Sequence, residues 1–364
     1  MKFFYVKNLV KNIMILILGG AGFIGSNFVL DFIKQSSEKV LILDKLTYAG
    51  NLNNLRPHLD SRCKFIKGDI SDSNLIINLL NKYHPRIVIN FAAESHVDRS
   101  IHGPTDFIET NIVGTFSLLE SIRKYYDGLP SSSKCNFKII HISTDEVYGS
   151  LNAGELPFKE TNAYKPNSPY AASKASSDHL VRAWHQTYGL PMITTNCSNN
   201  YGPFQFPEKL IPLIILNAIK DKPLPIYGDG SQIRDWLFVS DHCSAIRAIM
   251  ENGRIGEVYN IGGNNEITNL DVVKKICSIL DTLIPSNNGH KYEEQIIFVK
   301  DRLGHDHHYA IDSSKVMSEF SWSPSETFES GIFKTVNWYL NNSNWLDSVI
   351  SGSYHTWIEK NYKL

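Results

Sequence analysis

The sequence predicts an α/β fold, a doubly wound parallel sheet with a smaller C-terminal portion, and three observations carry that prediction. The apolar run Ile13-Met14-Ile15-Leu16-Ile17-Leu18 stops at Gly19-Gly20-Ala21-Gly22-Phe23-Ile24-Gly25. Short apolar runs then alternate with amphipathic segments as far as residue 150, the order a doubly wound sheet requires. A further run over residues 137–142 ends abruptly in Ser143-Thr144-Asp145-Glu146. In an open parallel sheet that is where residues following a buried strand meet ligands.

Composition sets the class. The chain has 364 residues, 42% hydrophobic and 20% charged, which is ordinary for a globular protein and long enough for about two domains. A net charge of −1 gives no electrostatic reason to bind nucleic acid or an anionic membrane. The five cysteines (63, 135, 197, 243, 277) are scattered and form no Cys-x-x-Cys. They exclude a disulfide framework or a cysteine zinc site and fit a reducing, cytoplasmic compartment. Lys2, Lys7 and Lys11 among apolar residues mimic the start of a signal peptide. The apolar run that follows is too short to span a bilayer and serves better as a buried strand. Residues 1–11 read as a small extension, or as an overlong start with Met14 the true one.

Glycines at 19, 22 and 25 allow a tight turn, close approach of a pyrophosphate, and a helix packed hard on its strand. That helix (Phe28, Val29, Phe32, Ile33) opens with free N–H groups aimed at phosphate. Gly19, Gly22, Phe23, Ile24 and Gly25 are therefore candidate cofactor contacts. A second strand over 40–43 ends in Asp44, nineteen residues past Gly25. A carboxylate there accepts both hydroxyl hydrogens of an adenosine ribose and repels a 2′-phosphate, which favours NAD over NADP. The first half is thus a Rossmann-type nucleotide-binding unit.

A third strand over 64–66 leads to Asp69 and Ile70 on the adenine side. A fourth over 86–91 ends in Ala92 and Ala93, small enough for the backbone to lie against the cofactor. Thr110 and Asn111 fall inside the next helix, where they either reach the site or are solvated. Asp145 and Glu146 side by side exceed the single acid that a helix N-cap would explain. Ser168 then caps a helix with Pro169 in its first turn. Tyr170 and Lys174, four apart, share one face of it. A lysine ammonium one turn away, with a positive nicotinamide ring, is expected to lower the tyrosine pKa and favour the phenolate.

Beyond Tyr201 the pattern changes to proline-broken helices and short loops, as a substrate-binding portion would. Asn199, Lys209 and Arg234 are candidate partners for a diphosphate, read as cations and amides in loops. Residues 239–250 are expected to return to the nucleotide-binding unit, and 258–263 to add a strand and turn. The domain reading is 12–196, with returning segments near 238–263, for NAD. Residues 197–237 and 264–320 form the smaller substrate-binding domain, and 321–364 form a packing helix and tail (Trp322, Trp338, Trp345, Trp357). A metal site from His305, His307 and His308 lacks carboxylate support, so no metal is expected.

Taken together, the glycine turn, Asp44, Thr144, Tyr170 and Lys174 resemble the extended short-chain dehydrogenase/reductase family. More narrowly, they resemble its dTDP-glucose 4,6-dehydratase branch. Also carrying the resemblance are Asp44-Lys45-Leu46-Thr47-Tyr48-Ala49-Gly50-Asn51, residues 94–100, Asn196-Cys197-Ser198-Asn199-Asn200-Tyr201-Gly202-Pro203, residues 207–212 and Gln232-Ile233-Arg234-Asp235-Trp236. It implies NAD contacts also at Lys45, Thr47, Ser95 and Asn200. It implies contacts to a small-molecule nucleotide sugar at Ser95, Thr144, Asn199, Lys209, Leu210, Pro225, Tyr227, Arg234, Asn269, Arg302 and His305. It also implies a homodimer joined through helices like that carrying Tyr170. The chain departs from the family at Leu303, where proline is usual, and at His307 and His308, where arginines are.

The reaction implied is elimination of water across C5 and C6 of a hexose whose C5 proton becomes acidic once C4 is a ketone. Tyr170, supported by Lys174, takes the C4 hydroxyl proton and Thr144 hydrogen-bonds that oxygen. Glu146 takes the C5 proton and Asp145 protonates the departing C6 hydroxyl. NAD accepts the hydride and gives it back, so it is not consumed. The rival readings are a nucleotide-sugar 4-epimerase, the same dehydration of UDP-glucose, and a catalytically silent NAD-binding module. An epimerase needs no acid pair, and family epimerases carry small or hydroxyl residues at 145 and 146. A silent module has no reason to keep Tyr170, Lys174, Asp145 and Glu146 together.

Overall fold

The computed structural model describes residues 14–286 and 289–350. The short extension read over 1–11, Ile13 at the head of the first strand, and Trp357 in the tail lie outside them.

Strand β1 (Met14–Leu18) is followed by helix α1 (Phe23–Gln35), β2 (Lys39–Asp44), β3 (Cys63–Lys67), α2 (Ser73–Tyr83) and β4 (Ile87–Asn90). After β4 come α3 (Val97–His102), a π-helical turn over Ile108–Gly114, α4 (Thr115–Asp127) and β5 (Lys138–Thr144). Next stand α5 (Pro169–Tyr188) and β6 (Met192–Cys197). Every residue of β1 and β4 is buried, without alternation, because helices cover both faces of the sheet. The strands run in the order β3-β2-β1-β4-β5-β6, all parallel. The order reverses between β1 and β4, and a crevice opens there beyond the carboxyl ends of the strands.

The remaining chain wraps that edge. It contributes β7 (Asn199–Tyr201), α6 (Leu210–Ile219), β8 (Leu224–Tyr227), β9 (Ile233–Phe238), α7 (Val239–Asn252) and β10 (Val258–Ile261). Then follow β11 (Glu266–Thr268), α8 (Asn269–Leu283), β12 (Ile296–Val299), α9 (Ser314–Phe320) and α10 (Phe328–Asn341). β10 pairs in parallel with β6 as the seventh strand of the main sheet. α7 sends Cys243, Ile246, Ile249 and Met250 into the same core as Phe28, Val29 and Phe32 of α1. A second core gathers Ile214, Ile215, Trp236, Val273, Ile276, Ile332 and Val336 beneath two small sheets, β11-β9-β7 and β12-β8.

Local chemistry accounts for the elements that matter to the site. The Ser168 side chain accepts a hydrogen bond from the Ala171 N–H, Pro169 occupies the first turn, and Gly189 ends the helix at φ 69°. α5 is thereby fixed at both ends, with Tyr170 and Lys174 on its buried face. Asn111 lies in the π-helical turn and is buried. It accepts from the Glu94 N–H at 2.9 Å and donates to Ser173 Oγ at 2.8 Å, locking α5 to the segment after β4. Among the described residues no helix is long and apolar enough to cross a membrane.

Candidate active site

The glycine turn is built by exclusion. Gly19 sits at φ +74°, and a Cβ there would lie 2.5 Å from the Ala92 nitrogen; a Cβ on Gly25 would lie 2.3 Å from the Gly19 carbonyl oxygen. Neither backbone can move without breaking the strand–turn–helix junction. Gly22 differs, since its nearest neighbour is the Gly19 carbonyl oxygen at 3.4 Å and its other side faces open space. It caps α1 with no side-chain hydrogen bond, so the first-turn N–H groups point into the crevice. That cradle is shaped for a dinucleotide pyrophosphate, and the residues fit NAD. Asp44 stands at the end of β2, its two carboxylate oxygens accepting from the N–H groups of Ala21 (2.9 Å) and Leu46 (2.8 Å). Lys45 and Asp69 form an ion pair at 2.8 Å at the far end of the crevice.

Two cavities meet here. The first is lined by all the cofactor candidates: Gly19, Gly22, Phe23, Ile24, Gly25, Asp44, Lys45, Thr47, Asp69, Ile70, Ala92, Ala93, Ser95, Thr110, Tyr170, Lys174 and Asn200. Thr144, Asp145 and Glu146 close its inner end. The second is lined by Asn199, Lys209, Leu210, Pro225, Tyr227, Arg234, Asn269, Arg302 and His305. Glu146, Asn199, Asn200, Gln205, Glu208 and Lys209 line both. Sequence reasoning missed several lining residues, among them Glu94, Gln205, Phe206 and Glu208 in the first cavity and Asp98, Trp236 and Tyr309 in the second. Glu94, Asp98, Glu208 and Trp236 lie within the recognised blocks and Gln205 and Phe206 between two of them, so the blocks were the available signal.

The acid pair lies in a short 3₁₀ turn, Asp145–Tyr148, directly after β5. Its cap is Thr144, whose hydroxyl accepts from the Glu146 N–H at 3.3 Å. Neither acid serves as the cap. Asp145 Oδ2 and Glu146 Oε2 are both buried with no hydrogen-bond partner. Burial raises Asp145 well above the ordinary carboxylate range, and the charges of Glu146 and Asp235 add to it. Burial also raises Glu146, but Arg302, Lys209 and Arg234 pull it back. Both carboxyls are raised, Asp145 far more than Glu146, so the neighbours are driven apart with Asp145 the better held as the acid.

The tyrosine and lysine correct one expectation. Tyr170 is pushed well above its ordinary value, first by burial and then by the charge of Glu146, while a hydrogen bond from Thr144 opposes the rise. Lys174 is not what moves it. The ammonium donates to the Ile142 carbonyl at the end of β5 (2.8 Å), and burial lowers its own pKa. Spacing along the helix placed both groups on one face, but the lysine turns toward the strand carbonyl.

On the substrate side Arg234 lies within β9 and not in a loop. Its guanidinium donates to the carbonyls of Ile233 and Asp306 and stacks over Tyr309, 4.4 Å from the ring centroid. Asn199 likewise belongs to a strand, β7. Lys209 caps α6 and donates to the Ser95 carbonyl at 2.8 Å. Arg302 pairs with Asp98 at 3.6 Å, and Tyr227 donates to the same carboxylate at 3.4 Å. His305 bonds Asp301 at 2.7 Å and His308 bonds Glu266 at 2.6 Å, so these histidines do not converge. Among the described residues no group of three or more His, Cys, Asp or Glu is placed to hold a metal ion.

A dinucleotide crevice at the switch point of a parallel sheet, with Tyr170, Lys174 and an acid pair at its inner end, defines a nucleotide-cofactor enzyme of the short-chain dehydrogenase/reductase type. The chain belongs to the GDP-mannose 4,6 dehydratase family, whose model matches residues 16–335. It is 58% identical over 358 residues to the dTDP-glucose 4,6-dehydratase of Salmonella typhimurium, covering 96% of this chain and 99% of that one. A crystal structure of the dTDP-glucose 4,6-dehydratase of Bacillus anthracis in complex with NAD superposes with a TM-score of 0.82 at 45% identity, covering 93% of this chain and 100% of that one. The dTDP-glucose 4,6-dehydratase of Streptomyces venezuelae, also with NAD bound, gives a TM-score of 0.84 at 42% identity, with the same coverage.

Proposed function

We infer that this enzyme is an NAD-dependent hydro-lyase that converts dTDP-glucose to dTDP-4-keto-6-deoxyglucose. The observation that carries the reading is the position of Glu146. It lines the cofactor cavity with Tyr170 and also the second cavity with Arg234 and Arg302, so it faces the junction where a sugar would meet a nicotinamide.

When bound, NAD supplies the hydride acceptor at C4 and the hydride donor at C6. The side chains handle the protons. Tyr170 takes the proton of the C4 hydroxyl; burial disfavours its phenolate, and the hydrogen bond with Thr144 works against that penalty. Thr144 also orients the C4 oxygen. Glu146, whose carboxylate Arg302, Lys209 and Arg234 favour against burial, removes the C5 proton that the neighbouring ketone has made acidic and returns a proton to C5 once the hydride has reached C6. Asp145, kept neutral by burial, gives its proton to the departing C6 hydroxyl. Arg234, Arg302, Lys209 and Asn199 hold the nucleoside diphosphate, with Leu210, Pro225, Tyr227, Asn269 and His305 around the nucleoside. Residues 12–196, with 238–263, form the NAD-binding domain, and 197–237 with 264–320 the sugar-nucleotide domain.

We further propose a homodimer joined through the π-helical turn, α4 and α5, where Val113, Phe116 and Tyr188 are 45–49% exposed. A cytoplasmic location fits five cysteines that are all free.

The test is incubation with dTDP-glucose or UDP-glucose and no added reductant, followed by mass spectrometry. Loss of one water from dTDP-glucose, with UDP-glucose turned over more slowly, is expected. A product of unchanged mass, epimeric at C4, would establish the epimerase reading instead.

A further inference from the structure

Above the cofactor cavity three segments far apart in sequence close on one another. The loop after β2 supplies Tyr48, α3 supplies Arg99, and the segment before α6 supplies Phe206 and Glu208. The Arg99 guanidinium stacks on the Tyr48 ring, 3.7 Å from its centroid. Arg99 Nε donates to Glu208 Oε2 at 2.8 Å, and Glu208 is 3% exposed. The Tyr48 hydroxyl hydrogen-bonds the same carboxylate. Phe206 meets the other side of Tyr48 edge-on, with centroids 5.5 Å apart.

Neither Tyr48 nor Arg99 lines either of these two cavities, yet their neighbours line the first: Thr47, Ala49 and Gly50 from the loop, and Phe206 and Glu208 from the facing segment. That facing segment is also pinned at its start, where Asn27 of α1 donates to the Pro203 carbonyl at 2.9 Å. The loop is pinned at its end by the Asn51 N–H donating to the Ala21 carbonyl at 3.0 Å. The two form a strap across the crevice, fastened at Tyr48, Arg99 and Glu208.

We propose that this Tyr48–Arg99–Glu208 fastening retains NAD, so that the cofactor leaves only when the strap opens. The proposal rests on the dehydratase reading, in which a hydride taken from C4 must return to C6 of the same sugar. An enzyme with that cycle gains nothing from cofactor exchange and loses its product whenever the cofactor escapes midway.

The experiment measures NAD release from the purified holoenzyme in the absence of substrate, after dilution into a trap for free NAD. Tyr48→Ala removes the stacking and the hydrogen bond and is expected to speed release about tenfold, from the combined size of a cation–π contact and an aromatic pair. Arg99→Ala, which touches neither cavity, is expected to speed it comparably. Tyr48→Phe keeps the ring contacts and serves if the alanine variant folds poorly; it is expected to release NAD faster than the wild type and more slowly than Tyr48→Ala. Release at the wild-type rate in Arg99→Ala and Tyr48→Phe overturns the strap. A wild-type protein that neither retains nor binds NAD overturns the proposed function itself, so the two failures are distinguishable.

Discussion

Asp145 and Glu146 are consecutive in the chain yet stand in different company: Asp145 lines the cofactor cavity alone, and Glu146 lines both cavities. The 3₁₀ turn that Thr144 caps makes this so, because successive side chains there diverge where those of a helical i,i+4 pair would align. Three cations temper the carboxyl of Glu146, whereas Asp145 has Arg234 and a hydrogen bond from Thr144 against burial and two like charges. The division into base and acid follows from these surroundings.

Glu146→Gln is expected to slow formation of the 6-deoxy product by about 10²–10⁴-fold, the usual size of a general-base contribution. Oxidation at C4 should survive. Deuterium incorporation from solvent at C5 separates the steps: it should fall with product release in Glu146→Gln. The pH signs follow. Glu146 must be ionised, so activity falls as pH drops through its raised pKa. Asp145 must be protonated, so activity falls again as pH rises through its own. Asp145→Asn should abolish the alkaline limb and leave the acid limb in place.

Gly22 and Gly25 separate the needs of the fold from those of the cofactor. Gly25→Ala forces a methyl into the Gly19 carbonyl oxygen, so it should lower the thermal midpoint of the cofactor-free protein and weaken NAD binding together. Gly22 has φ −74° and ψ 179°, which alanine adopts freely, and its methyl would meet only an ordinary contact. Gly22→Ala should therefore leave the cofactor-free midpoint within a degree or two while weakening NAD binding about tenfold or more, about 1.4 kcal/mol for each tenfold. Thermal unfolding and equilibrium NAD titration on the same samples check both.

Much of this was legible in the sequence, and what was not has identifiable physical causes. The glycine turn, the Ser168-Pro169 start of α5 and the shared face of Tyr170 and Lys174 obey local backbone rules that need no tertiary knowledge. The state of Tyr170 was not legible, because desolvation depends on what packs around α5, and burial outweighs the charge one turn away. Thr110 and Asn111 were ambiguous because the π-helical turn shifts the helical face there, and ordinary periodicity cannot locate such a shift. Arg234 was read as a loop cation because the chain beyond Tyr201 reads as proline-broken helices and short loops, although β9 pairs with both β7 and β11. Tyr48, Arg99 and Glu208 lie in recognisable blocks, but no spacing rule links residues so far apart.

Asp98 is expected to act on substrate affinity without touching the reacting atoms. It holds Arg302 at 3.6 Å and accepts from Tyr227, and both of these line the sugar-nucleotide cavity. Asp98→Asn keeps the size and loses the charge that aims the guanidinium. KM for dTDP-glucose should rise about tenfold with kcat changed less than threefold, the pattern of lost ground-state binding. Steady-state kinetics on NAD-saturated enzyme measures it, and an equal fall in kcat and kcat/KM would assign Asp98 to the chemical step instead.

His242 ties acid stability to the site. It is fully buried in α7, its Nδ1 lies 2.9 Å from Asn200 Oδ1, and burial lowers its pKa from 6.5 to about 3. The folded protein keeps this imidazole neutral where the unfolded chain would protonate it. The sign is that of a depressed group: its contribution is complete above pH 6.5 and is lost progressively as pH falls toward about 3. The full loss is on the order of 5 kcal/mol, since each pKa unit is worth about 1.4 kcal/mol. His242→Gln retains an amide that can reach Asn200 but cannot take up a proton. Its unfolding free energy should therefore change less between pH 7 and pH 4 than that of the wild type, by roughly 2–3 kcal/mol. Urea unfolding at the two pH values gives that difference directly, and parallel slopes for the two proteins would show that acid lability resides in the carboxylates.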